Sequence, residues 1–286
     1  MAAPALEGNM STLAQHKRHL DSLRDIRDIM AALKNISLTE GQRLRCFLDS
    51  QRRVVNGIEQ AMADFLGHYP QPLPGSDAEF EIVLIIGSER GFCGDFNETL
   101  LAQFTPQAAE RQTLVAVGEK LGLKLEEERL PAATLTGPTT VEEVPGVLLS
   151  VVDELRELNA RHGTAQLTIV HHRYDGYAAA PHRLRPFRDF AAKAAPHGYP
   201  PLLNVPPQTF FQELIDHYLF AVLHGIFYGS LAAEHQLRLQ HLEGAIQHLD
   251  RQSAALTQRY NGLRQELITE EIEMILLSAG PHMQEQ

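Results

Sequence analysis

Basic residues are in short supply here: 25 Lys and Arg stand against 36 Asp and Glu, a net charge of −11. That balance argues against a nucleic-acid binder. Cysteine is nearly absent, with Cys46 and Cys93 alone. Two cysteines make no disulfide framework and suit a reducing compartment. No apolar run approaches the roughly 18 residues that span a bilayer. The opening MAAPALEGNMSTL lacks the basic start and apolar stretch of a secretion signal. These absences lead us to expect a protein on the cytosolic side.

Proline is missing from both ends. None falls between Pro4 and Pro70 or between Pro207 and Pro281, which leaves 5–69 and 208–280 free of it. Because proline breaks helix interiors, the ends are open to very long helices and the middle is not. The hydrophobic spacing agrees. Positions 23, 30, 37, 44, 51, 58 and 65 read Leu, Met, Ser, Leu, Gln, Ile, Phe, and 26, 33, 40, 47, 54 and 61 read Ile, Leu, Glu, Phe, Val, Ala. This is a coiled-coil period. In the C-terminal region, Leu242, Leu249, Leu256, Leu263, Glu270 and Leu277 interleave with Ile246, Ser253, Tyr260, Leu267 and Met274. Two such helices flanking a folded region most simply pack antiparallel. The polar seam residues Ser37, Glu40, Gln51, Ser253 and Glu270 imply a seam that is wet there or faces another chain, since buried charge is costly unless paired.

The middle, 78–180, reads as α/β. FEIVLII (80–86), TLVAV (113–117) and QLTIV (166–170) are candidate strands; DFNETLLAQF and VLLSVVDELRELNARHG are candidate helices. Apolar strands alternating with helices suggest a mainly parallel sheet covered on both faces. Seven prolines in 181–207 mark an irregular connection. The expected organisation is therefore an N-terminal coiled-coil helix (11–69), a central α/β domain (78–180), the proline-rich connection (181–207) and a C-terminal coiled-coil helix (208–280).

The turn GSERGFCGDFN (87–97) follows directly on the first strand, where α/β proteins place phosphate loops and nucleophiles. It lacks the lysine of a Walker A loop, and Glu89 occupies the place of a dinucleotide fingerprint's middle glycine. Asp95 and Glu98 already complement the N-terminus of the helix that follows. Cys93 as a nucleophile would need a base, and no histidine lies in the turn. The adjacent histidines of HHRYDGY (171–177) fall on opposite faces of a strand and make no metal site. No active site assembles; no cofactor or metal is expected.

The turn SERGFCGDFN resembles a signature of the gamma subunit of rotary ATP synthases, S-[TD/E]-R-G-L-C-G-x-x-N. The C-terminal runs SLAAEHQLRLQHLEGA and LTQRYNGLRQELITEEIEMILLSAG are similar to the same family, with Asn261, Arg264, Gln265, Ile268, Thr269, Glu270 and Gly280 in register. The resemblance implies an antiparallel coiled coil around a Rossmann-like α/β domain, serving as a shaft. That shaft turns inside a ring of alpha and beta subunits, beside the epsilon subunit and the membrane ring of c subunits. The chain would then be a non-catalytic torque transmitter, peripheral to the cytoplasmic face of the inner membrane. DIRDIMAALKNISL keeps Met30, but Asp25 and Asp28 stand where the family has basic residues, which suggests a divergent form such as the sodium-linked synthases. The resemblance also implies beta-subunit contacts at Arg264, Gln265, Arg90, Cys93 and Met30. Two other classes compete: a cysteine- or nucleotide-dependent enzyme in the central domain, and a coiled-coil scaffold unrelated to rotation.

Overall fold

The computed structural model describes residues 3–70, 80–104, 111–163, 165–174, 179–184 and 198–279. Helix α1 runs Ala3–His68, 66 residues. The last helix, α5, runs Pro207–Ala279, 73 residues. Both are uninterrupted because neither has an interior proline; Pro4 and Pro207 fall in first turns, where no amide partner is lost. Between them lie α2 (Phe96–Leu101), α3 (Glu119–Glu127) and α4 (Val144–His162). Five strands form one sheet: β1 (Phe80–Ile86), β2 (Gln112–Val117), β3 (Ala133–Leu135), β4 (Ala165–Tyr174) and β5 (Ala179–Leu184). Their order is β3-β2-β1-β4-β5. The first four are parallel, and β5 pairs antiparallel with β4 at the edge.

β1 is the central strand and is buried throughout. Its one acid, Glu81, ties both neighbouring strands: it accepts Gln112 Nε2 at 2.9 Å from β2 and Thr168 Oγ1 at 2.5 Å from β4. Helix α4 ends before Gly163, whose φ of 79° stops it.

Two details differ from the sequence reading. β5 carries the sheet past residue 180 into the proline-rich segment, and Pro181 is tolerated because β5 is an edge strand. Of that segment, 185–197 lie outside the described residues, as do 175–178 and Gly280. Helix α3 and strand β3 are additional elements. Helix α5 also contains an 18-residue window of mean hydropathy 1.2, apolar enough by composition to cross a membrane. Just over half of that window, 56%, is buried inside the chain.

The chain divides into two compact units. One is formed by α1 as far as Asn35 and α5 from Leu242 onward; the other runs from Ile36 to His241. The remainder of both long helices thus belongs with the sheet, and not to separate helical domains.

In the two-helix unit, Leu20, Leu23 and Leu256 form the buried core with Leu249 and Tyr260 against it. Arg27 Nε meets Asp250 at 2.8 Å and Lys34 Nζ meets Glu243 at 3.0 Å. Seven residues forward on α1 match seven back on α5, so the pairing is antiparallel. In the sheet unit, Leu44, Leu48, Met62, Phe65 and Leu66 of α1 share a core with Leu223, Ile226 and Phe227 of α5 and with the sheet. Gln51, expected to be wet or facing another chain, donates to the Ala221 carbonyl at 2.8 Å, and Ser37 is 3% exposed.

The C-terminal heptad rows are the least exposed face of α5 as far as Glu270, whereas Met274 is 43% exposed. On α1 the row through Leu23, Leu44 and Phe65 is also correct. Its partner row is shifted by one residue. Ile26, Phe47 and Val54 are 44%, 47% and 50% exposed, and Leu20, Leu48 and Met62 are buried in their stead. The true row passes through Arg27, Lys34 and Gly41, whose polarity or lack of side chain disguises it.

Candidate functional site

In a doubly wound sheet, ligands bind outside the carboxyl ends of the strands where the strand order reverses. Here that point is the end of β1, between β2 and β4, and residues 87–97 turn across it. Asn97 closes the turn by accepting the Ser88 amide at 3.0 Å and donating to Ser88 Oγ at 2.9 Å. Glu89 reaches sideways. Its Oε2 accepts the amides of Glu119, the first residue of α3, at 2.9 Å and of Gly137 at 2.7 Å. A carboxylate of the chain itself therefore uses donors of the kind that bind phosphate at a helix N-terminus. Gly118, just before α3, has φ 117°, and a Cβ there would lie 2.6 Å from the Ser88 carbonyl oxygen, so only glycine fits.

Beneath the turn, α5 supplies the rest. Ser230 Oγ donates to the Ile86 carbonyl at 3.3 Å. Arg238 donates to Gly91 O at 3.0 Å, Arg90 O at 3.2 Å and Cys93 Sγ at 3.1 Å, and forms an ion pair with Glu234. Glu234 and Arg238 are themselves buried under the turn, 4% and 6% exposed. Burial raises the Glu234 carboxyl, with Arg238 acting against that rise. For Arg238, burial works toward loss of the proton, but Glu234 and Cys93 outweigh it and the guanidinium stays charged.

Cys93 is 5% exposed, and its thiol donates to the Arg90 and Gly91 carbonyls. Burial, then the Glu234 charge, push its pKa up to about 12. A thiol that stays protonated at neutral pH is no nucleophile. Buried in this way, it also offers no surface to a partner; within the turn the exposed side chains are Arg90, Phe92 and Asp95. His235 is pushed down to about 4, by burial first and the Arg238 charge second.

The remaining expected contact residues lie in the two-helix unit. Met30 is half-buried, and Arg264 and Gln265 are exposed. The pairings 27 with 250 and 34 with 243 sum to 277, which sets residue 247 opposite Met30. Arg264 is 17 residues further along, about 25 Å at 1.5 Å per residue. Met30 and the Arg264–Gln265 pair are separate features. His171 and His172 are both buried, and among the described residues no cluster suits a metal.

Glu234 and Arg238 were missed as a structural centre, although they lie within the quoted run SLAAEHQLRLQHLEGA. Their i, i+4 spacing on a helix was the available signal.

The chain matches the family model described as ATP synthase over residues 12–280. Among curated proteins it is similar to the ATP synthase gamma chain of Caldanaerobacter subterraneus, 23% identical, with 91% of this chain and 97% of that one covered. It is also similar to the gamma chain of Akkermansia muciniphila, 24% identical with 88% and 96% covered. The chain belongs to the ATP synthase gamma-chain family. Solved structures share the fold. A chain of the Euglena gracilis mitochondrial ATP synthase rotor gives a TM-score of 0.58 at 15% identity, covering 90% of this chain and 99% of its own. A chain of the Tetrahymena thermophila central stalk and c-ring gives 0.52 at 15%, covering 76% and 99%.

As a gamma chain, the protein is a non-catalytic subunit of its complex. Glu89, Glu234 and Arg238 are each engaged by groups of the chain itself.

Proposed function

We propose that this chain is the rotor shaft of an ATP synthase, turned by the membrane ring and pushing each catalytic beta subunit in turn through its binding states. The supporting observation is the antiparallel pairing of first and last helices through Arg27–Asp250 and Lys34–Glu243, in a chain whose family match spans 12–280. A shaft shifts a partner's conformation only by contacting its states unequally. Arg264, Gln265, Met30 and Arg90 are the side chains for those contacts, and charge-assisted hydrogen bonds from the two arginines can form and break with angle. The alpha and beta subunits form the surrounding head, with epsilon and the c-ring at the sheet unit. The complex stands on the cytoplasmic face of the inner membrane.

The test is co-expression with the alpha and beta subunits of the same complex. The tagged chain should co-purify in a head that hydrolyses ATP, and the isolated chain should neither hydrolyse nor bind it. A chain recovered alone, or one with its own turnover, overturns the reading.

A further inference from the structure

We propose that the hollow between α1, α5 and the β4–β5 edge of the sheet binds a small hydroxylated organic acid. Its ligand is an apolar ring or short chain with a hydroxyl at one end and a carboxylate at the other. The proposal goes beyond the shaft reading and does not depend on it.

The hollow lies wholly within the sheet unit and has a volume of about 250 Å³. A cavity of about 150 Å³ already takes benzene, so this one has room for about ten non-hydrogen atoms. Its apolar walls are Leu48 and Val55 of α1, Leu184 of β5, and Val222 and Ile226 of α5. Gly229 lies on the α5 side as well. Glycine in a helix interior is destabilising relative to alanine. A Cβ at 229 would meet Leu48 at 3.9 Å, an ordinary contact. Packing of the chain on itself therefore does not demand glycine there; the bare position keeps the hollow open.

The polar groups gather at the sheet. His171 and Arg173 are two residues apart on β4 and so point to one face. His182 of β5 pairs with His171 across the ladder, their rings 5.6 Å apart and edge to face. All three line the hollow.

His171 calls for the hydroxyl. It is 6% exposed, and its Nδ1 bonds the His172 carbonyl at 3.0 Å. A carbonyl only accepts, so Nδ1 carries the proton and the neutral ring presents Nε2 as an acceptor. Burial, with the charges of His182, His172 and Arg173, keeps the ring neutral, its pKa pushed down to about 4. Nε2 has no hydrogen-bond partner among the described residues, and polar atoms of so buried a residue normally have one. A ligand hydroxyl is the donor that fits.

Arg173 calls for the carboxylate. Its side chain is exposed and forms no salt bridge among the described residues. Arg52 of α1 also lines the hollow; it donates Nη2 to the Tyr174 carbonyl at 2.8 Å and reaches Asp49 only at 3.9 Å. Among the described lining residues Glu59 is the one acid, against these two guanidiniums. A planar carboxylate matches the guanidinium fork.

The isolated full chain is titrated by calorimetry with 4-hydroxybenzoate, benzoate and phenol. 4-Hydroxybenzoate should bind with a Kd of about 1 mM or tighter, within reach of a ligand of about ten non-hydrogen atoms. Benzoate, which lacks the hydroxyl, and phenol, which lacks the carboxylate, should each bind several-fold more weakly. Equal affinity for the three, or no saturation by about 10 mM, overturns the proposal.

Two variants fix the place. Arg173→Gln should weaken 4-hydroxybenzoate about tenfold and leave the melting temperature unchanged, because no described carboxylate pairs with it. Gly229→Leu fills the hollow and should abolish binding in a chain that melts no lower. Binding untouched by Arg173→Gln overturns the proposal, whether or not Gly229→Leu folds.

Discussion

Glu234 and Arg238 stand one turn apart on α5, and their ion pair is closed off from water, with side-chain exposures of 5% and 8%. Removing one partner leaves a buried charge uncompensated, which costs about 3–5 kcal/mol. Arg238→Met and Glu234→Gln should each lower stability to urea by that order. The double variant should lose less than the sum of the two, because neither charge is then stranded. Additive losses would mean that the pair is not coupled.

The shifted heptad row gives a direct comparison within the two-helix unit. Leu256→Asp places an unpaired charge against Leu20 and Leu23 and should destabilise the coil by about 2–5 kcal/mol. Ile26→Asp, on the exposed face, should change stability by less than about 0.5 kcal/mol. Thermal melts read both. Equal effects would restore the row through Ile26.

Acid should weaken the sheet unit through His171. Burial, aided by the charges of His182, His172 and Arg173, lowers its pKa from 6.5 to about 4, although its Nδ1 bonds the His172 carbonyl. The unfolded chain then binds more protons than the folded chain between these values, so stability present above pH 6.5 is lost as pH falls toward 4. At pH 5 the loss from this group is roughly 2 kcal/mol. His171→Asn, which can still donate at that position, should flatten the melting-temperature curve between pH 7 and 5. An unaltered slope would assign the acid sensitivity elsewhere.

Arg264 and Gln265 lie just past Leu263 on the exposed face of α5. Their double replacement by alanine should leave helix content and melting temperature nearly unchanged. In the assembled complex, loss of a charged hydrogen bond worth about 1.5–3 kcal/mol should slow ATP hydrolysis several-fold. Full turnover would mean that the two residues face only water.

Much of this architecture was legible because proline and heptads act over long distances. The two proline-free ends became α1 and α5, and FEIVLII became the central strand followed at once by its glycine turn. Strand β5 was hidden because Pro181 reads as a breaker, and only its edge position makes it harmless. The α1 row slipped because Ile26 and Val54 look like core, while Arg27 and Lys34, which face α5, look like surface. The centre of the site was the least legible part. Glu234 and Arg238 offer only an i, i+4 spacing until the fold brings the turn over them.

The Arg27–Asp250 contact joins residues 223 positions apart, and this has a consequence for synthesis on the ribosome. At about 5–20 residues per second, roughly 10–45 s separate the emergence of the two halves of this contact. Through that interval the stripe of Leu20 and Leu23 has no partner from its own chain, so the two-helix unit is the last part able to form. A released chain truncated after residue 241 should carry a folded sheet unit behind an N-terminal segment still open to proteases and chaperones.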